Sequence, residues 1–505
     1  APASGGYVIE GSGLFDGSTG RLVWTPSGAG DSRTKRIFEI HFKLGGLGTQ
    51  RNFLQAGAAG SDYELISLNA SDKISSHGYT SGALKYNYIS TAVLRDPAAY
   101  YVLIQERDGN TINHYLFADG LLTDFDTSSA PSSFDGHFGT SVQHYIGRSP
   151  FADSQYFDGY IARIAYYDNQ TFTEANHIEL TDDGFWQIND VSDLTFGTNG
   201  FLIEGGTNVA AGTDSSGNSN SFTKTGSITA TSDSPTDGGA DDEYGNLATF
   251  SGMLHGITGA GSGILVASNG GRTYGVGVTN GSPTALASIP IPPGSLIYCE
   301  VDLDSVNTSY GAQSVGIMEA DFEDKYQDYG GGGIGKGGAE LSCSGYYTKY
   351  RTSVYDGTRT DITGTSRPTS GDRVRIAVDT VNDEIFFGLE AAWFNGTTAA
   401  TGGDPAASTG GLSITTGKDW LIGGTCINGQ HTWYFDEADW EQTAPTGYTS
   451  LSTANLPTPA VTNYEDHYYI EAGISHSNGS TTSVTLPTSV SGGAMARIKR
   501  TDSTG

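Results

Sequence analysis

The chain has 505 residues, 72 of them Gly and 28 Tyr, with 16% charged side chains and 56 acidic against 26 basic residues. A formal net charge of −30 without a Lys/Arg cluster argues against nucleic acid, because a phosphate backbone needs clustered cations to displace its counterions. No run of 18 apolar residues exists for membrane insertion, while turn residues and β-formers abound, so the chain reads as all-β with many short strands.

Residues 1–180 read as a first β-sandwich. The opening residues lack the basic and apolar regions of a signal peptide. Phe38, Ile40, Phe42 and Leu44 alternate with Glu39, His41 and Lys43, which predicts one buried and one wet face. Arg107-Asp108-Gly109-Asn110 is a hairpin turn, since these residues tolerate positive φ. From Gly159 to Asp168 the alternation places Tyr160, Ala162, Ile164 and Tyr166 on one face of a strand, with Ile161, Arg163, Ala165 and Tyr167 on the other. One of those faces is predicted to be buried. His137 and His144 are the closest histidines, and no Ser/His/Asp arrangement accompanies them.

Residues 181–235 read as a connector packed along its neighbours' surface. Within it Asp214, Ser216, Asn218 and Asn220 put oxygens on alternate positions, as calcium loops do. Gly217 and the missing bidentate acid spoil an EF-hand match, leaving an Asx-type turn as the main expectation and a Ca²⁺ site as the alternative.

Residues 236–444 read as a second sandwich, with strands at Leu296–Leu303, Arg373–Asp379 and Glu384–Leu389. Glu319-Ala320-Asp321-Phe322-Glu323 alternates three acids onto one face. A retaining glycosidase needs two carboxyls roughly 5–5.5 Å apart, whereas the outer Cα atoms of such a strand lie roughly 13 Å apart, so a solvated acidic edge is the expectation. Gly330–Gly337 nearly spells a phosphate loop, but Gly337 stands where Ser or Thr must reach Mg²⁺. Loop aromatics stack on sugars, which makes Tyr346, Tyr347, Tyr350 and Trp393 candidate ligand contacts, against core or interchain packing. Cys299, Cys343 and Cys426 are too sparse for a disulfide framework and are expected as core thiols.

Residues 445–505 read as a linker and the start of a third β unit, with Asn478-Gly479 as its hairpin. About 40 residues cannot bury an independent core, so the polypeptide is expected to continue past Gly505 or to complete this unit on another chain.

Several blocks recur in order: Trp24–Gly48, Arg95–Glu106, His114–Gly120, His144–Arg148 and Tyr156–Asp168. Together these resemble a laminin-G/concanavalin-like jelly roll of tailed-bacteriophage virion proteins, tail fibres and adhesins in particular. The wording Asp214–Thr223 resembles a unit joining two β modules in such proteins. Gly371–Gly396, Trp393–Gly396 and Trp440–Tyr448 resemble a SPRY-like module, apart from Glu390-Ala391-Ala392 at a turn usually built from Gly or Asn.

The resemblance implies a non-enzymatic tail fibre or spike that binds a host-surface glycan, a homotrimer attached to other virion proteins. It would be assembled in the host cytoplasm and displayed on the extracellular particle. The alternatives are a head or collar fibre or decoration protein, and a depolymerase using Glu319 and Glu323, whose spacing resembles laminarinase-type glycosidases. No cofactor is expected apart from the Ca²⁺ alternative.

Overall fold

The computed structural model describes residues 6–118, 121–151, 155–180, 186–238, 243–255, 266–276, 284–306, 313–321, 334, 338–343, 350–354, 360–396, 399–426 and 428–457. The proposed third unit lies outside the described residues, as do Glu323, Tyr346, Tyr347 and almost all of the glycine loop. Residues 1–456 form one compact unit holding two sandwiches.

The first sandwich begins with β1 (Ser12–Asp16), β2 (Arg21–Trp24), β3 (Lys35–Leu44), β4 (Arg51–Ala59), β5 (Asp62–Leu68), β6 (Ile74–Thr80) and β7 (Ala83–Ile89). It continues through β8 (Tyr100–Asp108), β9 (Thr111–Ala118), β10 (Leu121–Ser129), β11 (Gln143–Ile146) and β12 (Asp158–Asp168). Helix α1 (Glu174–His177), β13 (Ile178–Leu180), β14 (Trp186–Ile188), β15 (Phe201–Glu204), α2 (Gly206–Ala211), β16 (Thr223–Thr225) and β17 (Ile228–Thr231) follow. The back sheet runs β10-β9-β8-β3-β12-β1-β17, with β15 also on β12; the front sheet runs β16-β2-β11-β4-β5-β6-β7.

The segment read as a connector therefore supplies strands to both sheets. Phe201, Ile203, Val209, Phe222 and Ile228 sit in the core between them. Spread over nearly thirty residues, they look sparse in sequence, yet each is placed by its own short strand or helix.

Two face assignments change. Glu39, His41 and Lys43 are fully buried, so the polar face of β3 is not wet. All of β12 is buried too, and its pairing with β3 shifts register between Ile161 and Arg163. That bulge inverts the phase of alternation. Ile161, Ile164 and Tyr166 face the inter-sheet core, whereas Tyr160 and Ala162 join a cluster on the opposite side.

The outer face of the back sheet is covered over its central strands. Phe172, Ile178, Val191 and Phe196 pack over Ile37, Val102, Ile104 and Tyr167, and Ile9 packs with Leu14 and Tyr160. Under this cover Glu39 accepts from Arg163 Nη1 at 2.8 Å and from the Tyr167 hydroxyl at 2.9 Å. His41 and His177 hydrogen-bond the same carboxylate at 2.6 and 2.7 Å. Burial alone would raise the Glu39 pKa, but Arg163 and His177 hold it well below the carboxylate range.

The second sandwich uses β18 (Phe250–His255), β19 (Val266–Ser268), β20 (Thr273–Val276), β21 (Thr284–Ala287), β22 (Leu296–Ser305), β23 (Ser314–Glu319), β24 (Ala339–Ser342) and β25 (Arg351–Val354). It ends with β26 (Thr360–Asp361), β27 (Arg373–Asp379), β28 (Glu384–Leu389), β29 (Ala392–Trp393), β30 (Leu412–Ser413), β31 (Trp420–Thr425) and β32 (Gly429–Tyr434). Its sheets run β18-β21-β31-β23-β24-β25-β26 and β19-β20-β32-β22-β27-β28-β29, with β30 on β28. Trp420 and Trp433 are fully buried between them, and the three cysteines are buried free thiols. Lys43 joins the two sandwiches: its Nζ donates to Asp233 Oδ2 at 2.9 Å and to Asn246 Oδ1 and Leu247 O at 2.6 Å. At a second junction Gly270 donates to Asp158 Oδ1 at 2.7 Å. Gly270 has φ +68, and a Cβ there would lie 2.3 Å from Leu14 Cδ1, so only glycine fits.

Candidate functional site

The front sheet leaves part of its outer face open over β16, β2 and β11. Alternation in β2 turns Leu22 and Trp24 inward, where Trp24 meets Phe201 and Phe222, and turns Arg21 and Val23 outward. In β11 His144 and Ile146 are buried while Gln143 and Tyr145 face out. The register sets Tyr145 and Thr223 on either side of Val23, and Thr225 opposite Arg21. Arg148 and Pro150 line the groove beyond β11, and Ser221 lines it before β16. The cavity is open and holds about 500 Å³.

Its floor combines an apolar strip, Val23 beside the Tyr145 ring, with hydroxyls from Ser221, Thr223 and Thr225. The Tyr145 hydroxyl donates to Gln143 Oε1 at 2.6 Å, which fixes both side chains. The Arg148 guanidinium lies over the Tyr156 ring at 5.0 Å. Beneath the floor His144 accepts from Gly139 N at 3.0 Å, and burial lowers its pKa to about 4, so the support of the groove is neutral at pH 7. No nucleophile–base pair lies among the lining residues; they offer stacking and hydrogen bonds.

The residues singled out in the sequence fall elsewhere. Tyr350 is 1% exposed, packs against Phe394 and donates to Asp372 Oδ2 at 2.9 Å, so the ring that was a candidate sugar contact is a core residue. Trp393 is half-buried in a different cluster, with the Arg375 guanidinium 4.2 Å from its ring centroid. Tyr350 and Trp393 therefore do not form one platform. Glu319 ends β23 and Asp321 lies in the following turn; Lys418 Nζ bridges them at 3.3 and 3.1 Å. His137 donates its backbone N–H to Glu64 Oε2 at 2.9 Å.

In the Asp214 loop, Oδ1 accepts from Leu202 N and Ser216 N, each at 2.9 Å, and Oδ2 accepts from Asn220 N at 2.7 Å. The amide nitrogens of Asn218 and Asn220 donate to Gly200 O at 2.9 and 2.8 Å. This is an Asx-type turn whose one carboxylate is already occupied by N–H donors. Ca²⁺ takes six to eight oxygens, and among the described residues no cluster of three metal-ligating side chains occurs. The donor set does not fit the ion.

Arg21, Gln143, Tyr145, Arg148 and Thr223 escaped the sequence reading. Their available signal was alternation in short strands, but three strands far apart in the chain must pair before the groove exists.

No family model matches the chain, and no curated protein matches it. Among solved structures the chain is similar to a putative carbohydrate binding protein from Bacteroides ovatus, at 15% identity and TM-score 0.27 over 44% of this chain. It spans 60% of that protein. It is also similar to the CBM40 of the Ruminococcus gnavus IT-sialidase, at 15% identity and TM-score 0.24 over 32% of this chain and 95% of that one. A third is mouse laminin α1 domains LG4-5, at 10% identity and TM-score 0.29 over 90% of this chain and 88% of that one.

Proposed function

We propose that the chain is a non-catalytic glycan-binding protein that contacts saccharides through the β16-β2-β11 groove. The observation that carries this reading is the open groove itself. Its volume suits a ligand of a few rings, since small-molecule sites run roughly 300–1,000 Å³. An apolar and aromatic strip takes the C–H face of a sugar, and Gln143, Ser221, Thr223 and Thr225 meet its hydroxyls. The groove is built on paired strands, so binding needs little ordering.

The resemblance of the sequence to tail fibres and adhesins supports placing this binding on a bacteriophage particle, as a trimeric host-attachment fibre or spike. A docking role toward other virion proteins is supported by a separate feature. Leu84, Ile89, Val93, Leu122 and Phe125 are 46–51% exposed along the neighbouring sheet edges β7 and β10. The test is a glycan array probed with the full chain and with Tyr145→Ala. Saturable binding lost in the variant supports the reading; no glycan bound, or binding indifferent to Tyr145, overturns it.

A further inference from the structure

Two sheet ends of the first sandwich lie side by side. β7 ends the front sheet and β10 ends the back sheet, and among the described residues each is paired along one side only, to β6 and to β9. The two edges share one rim, since Thr91 Oγ1 and Ala92 N, just past β7, donate to Asp124 of β10 at 2.8 and 2.9 Å. Seven large apolar side chains are exposed among the described residues, and five of them, Leu84, Ile89, Val93, Leu122 and Phe125, stand at this rim. The other two sheet ends, β16 and β17, carry none of the seven. We infer that this rim is an interface between copies of this chain, with β10 of one copy pairing edge to edge with β7 of another. The inference stands apart from the saccharide reading.

Backbone and side chains both favour a strand as the occupant. An antiparallel strand paired on one side points alternate N–H and C=O groups outward, and such an edge is a template for a further strand. Ile89 alternates with the core residue Tyr88, so it faces away from the core on the front sheet. Leu122 and Phe125 stand opposite Phe117 and Tyr115 of β9. The Phe125 ring lies 4.8 Å from that of Tyr115, which lies 4.9 Å from Phe172. The apolar layer over the back sheet thus runs out to the rim, where Phe125 is 51% exposed. A strand added there gives these side chains cross-strand neighbours.

Charge selects which strand. β10 carries Asp124 and Asp126, so two β10 edges side by side would set acids against acids. β7 carries Lys85 and no acid. The edge that fits β10 is therefore β7 of another copy. The nine residues of β10 span about 30 Å, and two sheets about 10 Å apart with their outward side chains make a rim about 20 Å wide. A footprint on the order of 600 Å² per copy is below the roughly 800 Å² of a standard interface, so the copies are expected to associate at micromolar concentration.

The experiment is sedimentation of the full chain from about 1 to about 100 μM, with amide hydrogen exchange at both ends of that range. The mass should rise above one chain, and exchange should slow with concentration in β7 and β10 but not in β16. Phe125→Ser is expected to weaken association at least about tenfold. Lys85→Glu and Asp126→Lys should each weaken it about fivefold, and the double variant should recover it. Phe151→Ser removes an exposed ring away from this rim and should change nothing. Far-ultraviolet circular dichroism checks that each variant folds. A chain that stays single at the highest concentration overturns the inference, as does association that survives Phe125→Ser or leaves exchange in β7 and β10 unchanged. A double charge variant that fails to recover overturns the β10–β7 pairing. Tyr145→Ala should associate as the parent does, so loss of the saccharide reading would leave this one standing.

Discussion

The two sheets of the first sandwich share one alternating grammar and end in opposite states. The centre of the back sheet is covered on both faces, so the polar side of β3 becomes a sealed layer in which Glu39, Arg163, His41 and His177 satisfy one another. The front sheet keeps part of a face open, and there Arg21, Gln143, Tyr145 and Thr223 are held in position with no partner element above them among the described residues. The difference teaches that a polar residue on a strand announces either a wet face or a buried network. What decides is which other segment returns to cover it.

The comparison breaks most visibly at Glu39. Glu39→Ala would leave Arg163 buried with one of its two carboxylates gone, and the expected loss is about 4 kcal/mol in a denaturant titration. A loss below about 1 kcal/mol would mean that the cover of the back sheet opens to water. Lys43→Ala strands Asp233 at the junction between the sandwiches; about 3 kcal/mol is expected, with the single calorimetric transition splitting in two.

Acid sharpens the contrast further. Burial lowers His114 and His431 to about 3 from an ordinary 6.5, so the folded state keeps them neutral where the unfolded chain binds protons. Stability is fully present above pH 6.5 and falls as pH drops from there toward 3, by about 2 kcal/mol per histidine at pH 5. Glu39, with its lowered pKa, adds a loss of the same sign as pH falls below the ordinary carboxylate range. Denaturant midpoints at pH 7.5 and 5 test this, and His114→Gln should flatten the slope. Smallest of all, Tyr145→Ala on the open face should change stability by about 0.5 kcal/mol or less while abolishing saccharide binding.

Much of the architecture was legible. The strands at Phe38–Leu44, Leu296–Leu303, Arg373–Asp379 and Glu384–Leu389 and the Arg107–Asn110 turn stand where the pattern put them, and a tight turn over Thr380–Asp383 joins the last two of those strands. Asp379 accepts from Val381 N and Asn382 N and closes that last turn. Faces were less legible. The shift at Ile161/Arg163 inverts which residues of β12 meet the core, and a bulge leaves no trace in a period of two. The site was least legible: Tyr350 looked like a loop aromatic and is core, while Tyr145 looked like half of an ordinary strand and lies in the groove floor.

By itself the sequence determined that this chain makes strands and where many of them turn. Those are local properties, written in the spacing of neighbouring side chains. Only the tertiary structure decided which polar faces stay wet and where a ligand could rest, because that depends on strands some 80 to 120 residues apart in sequence pairing into one surface.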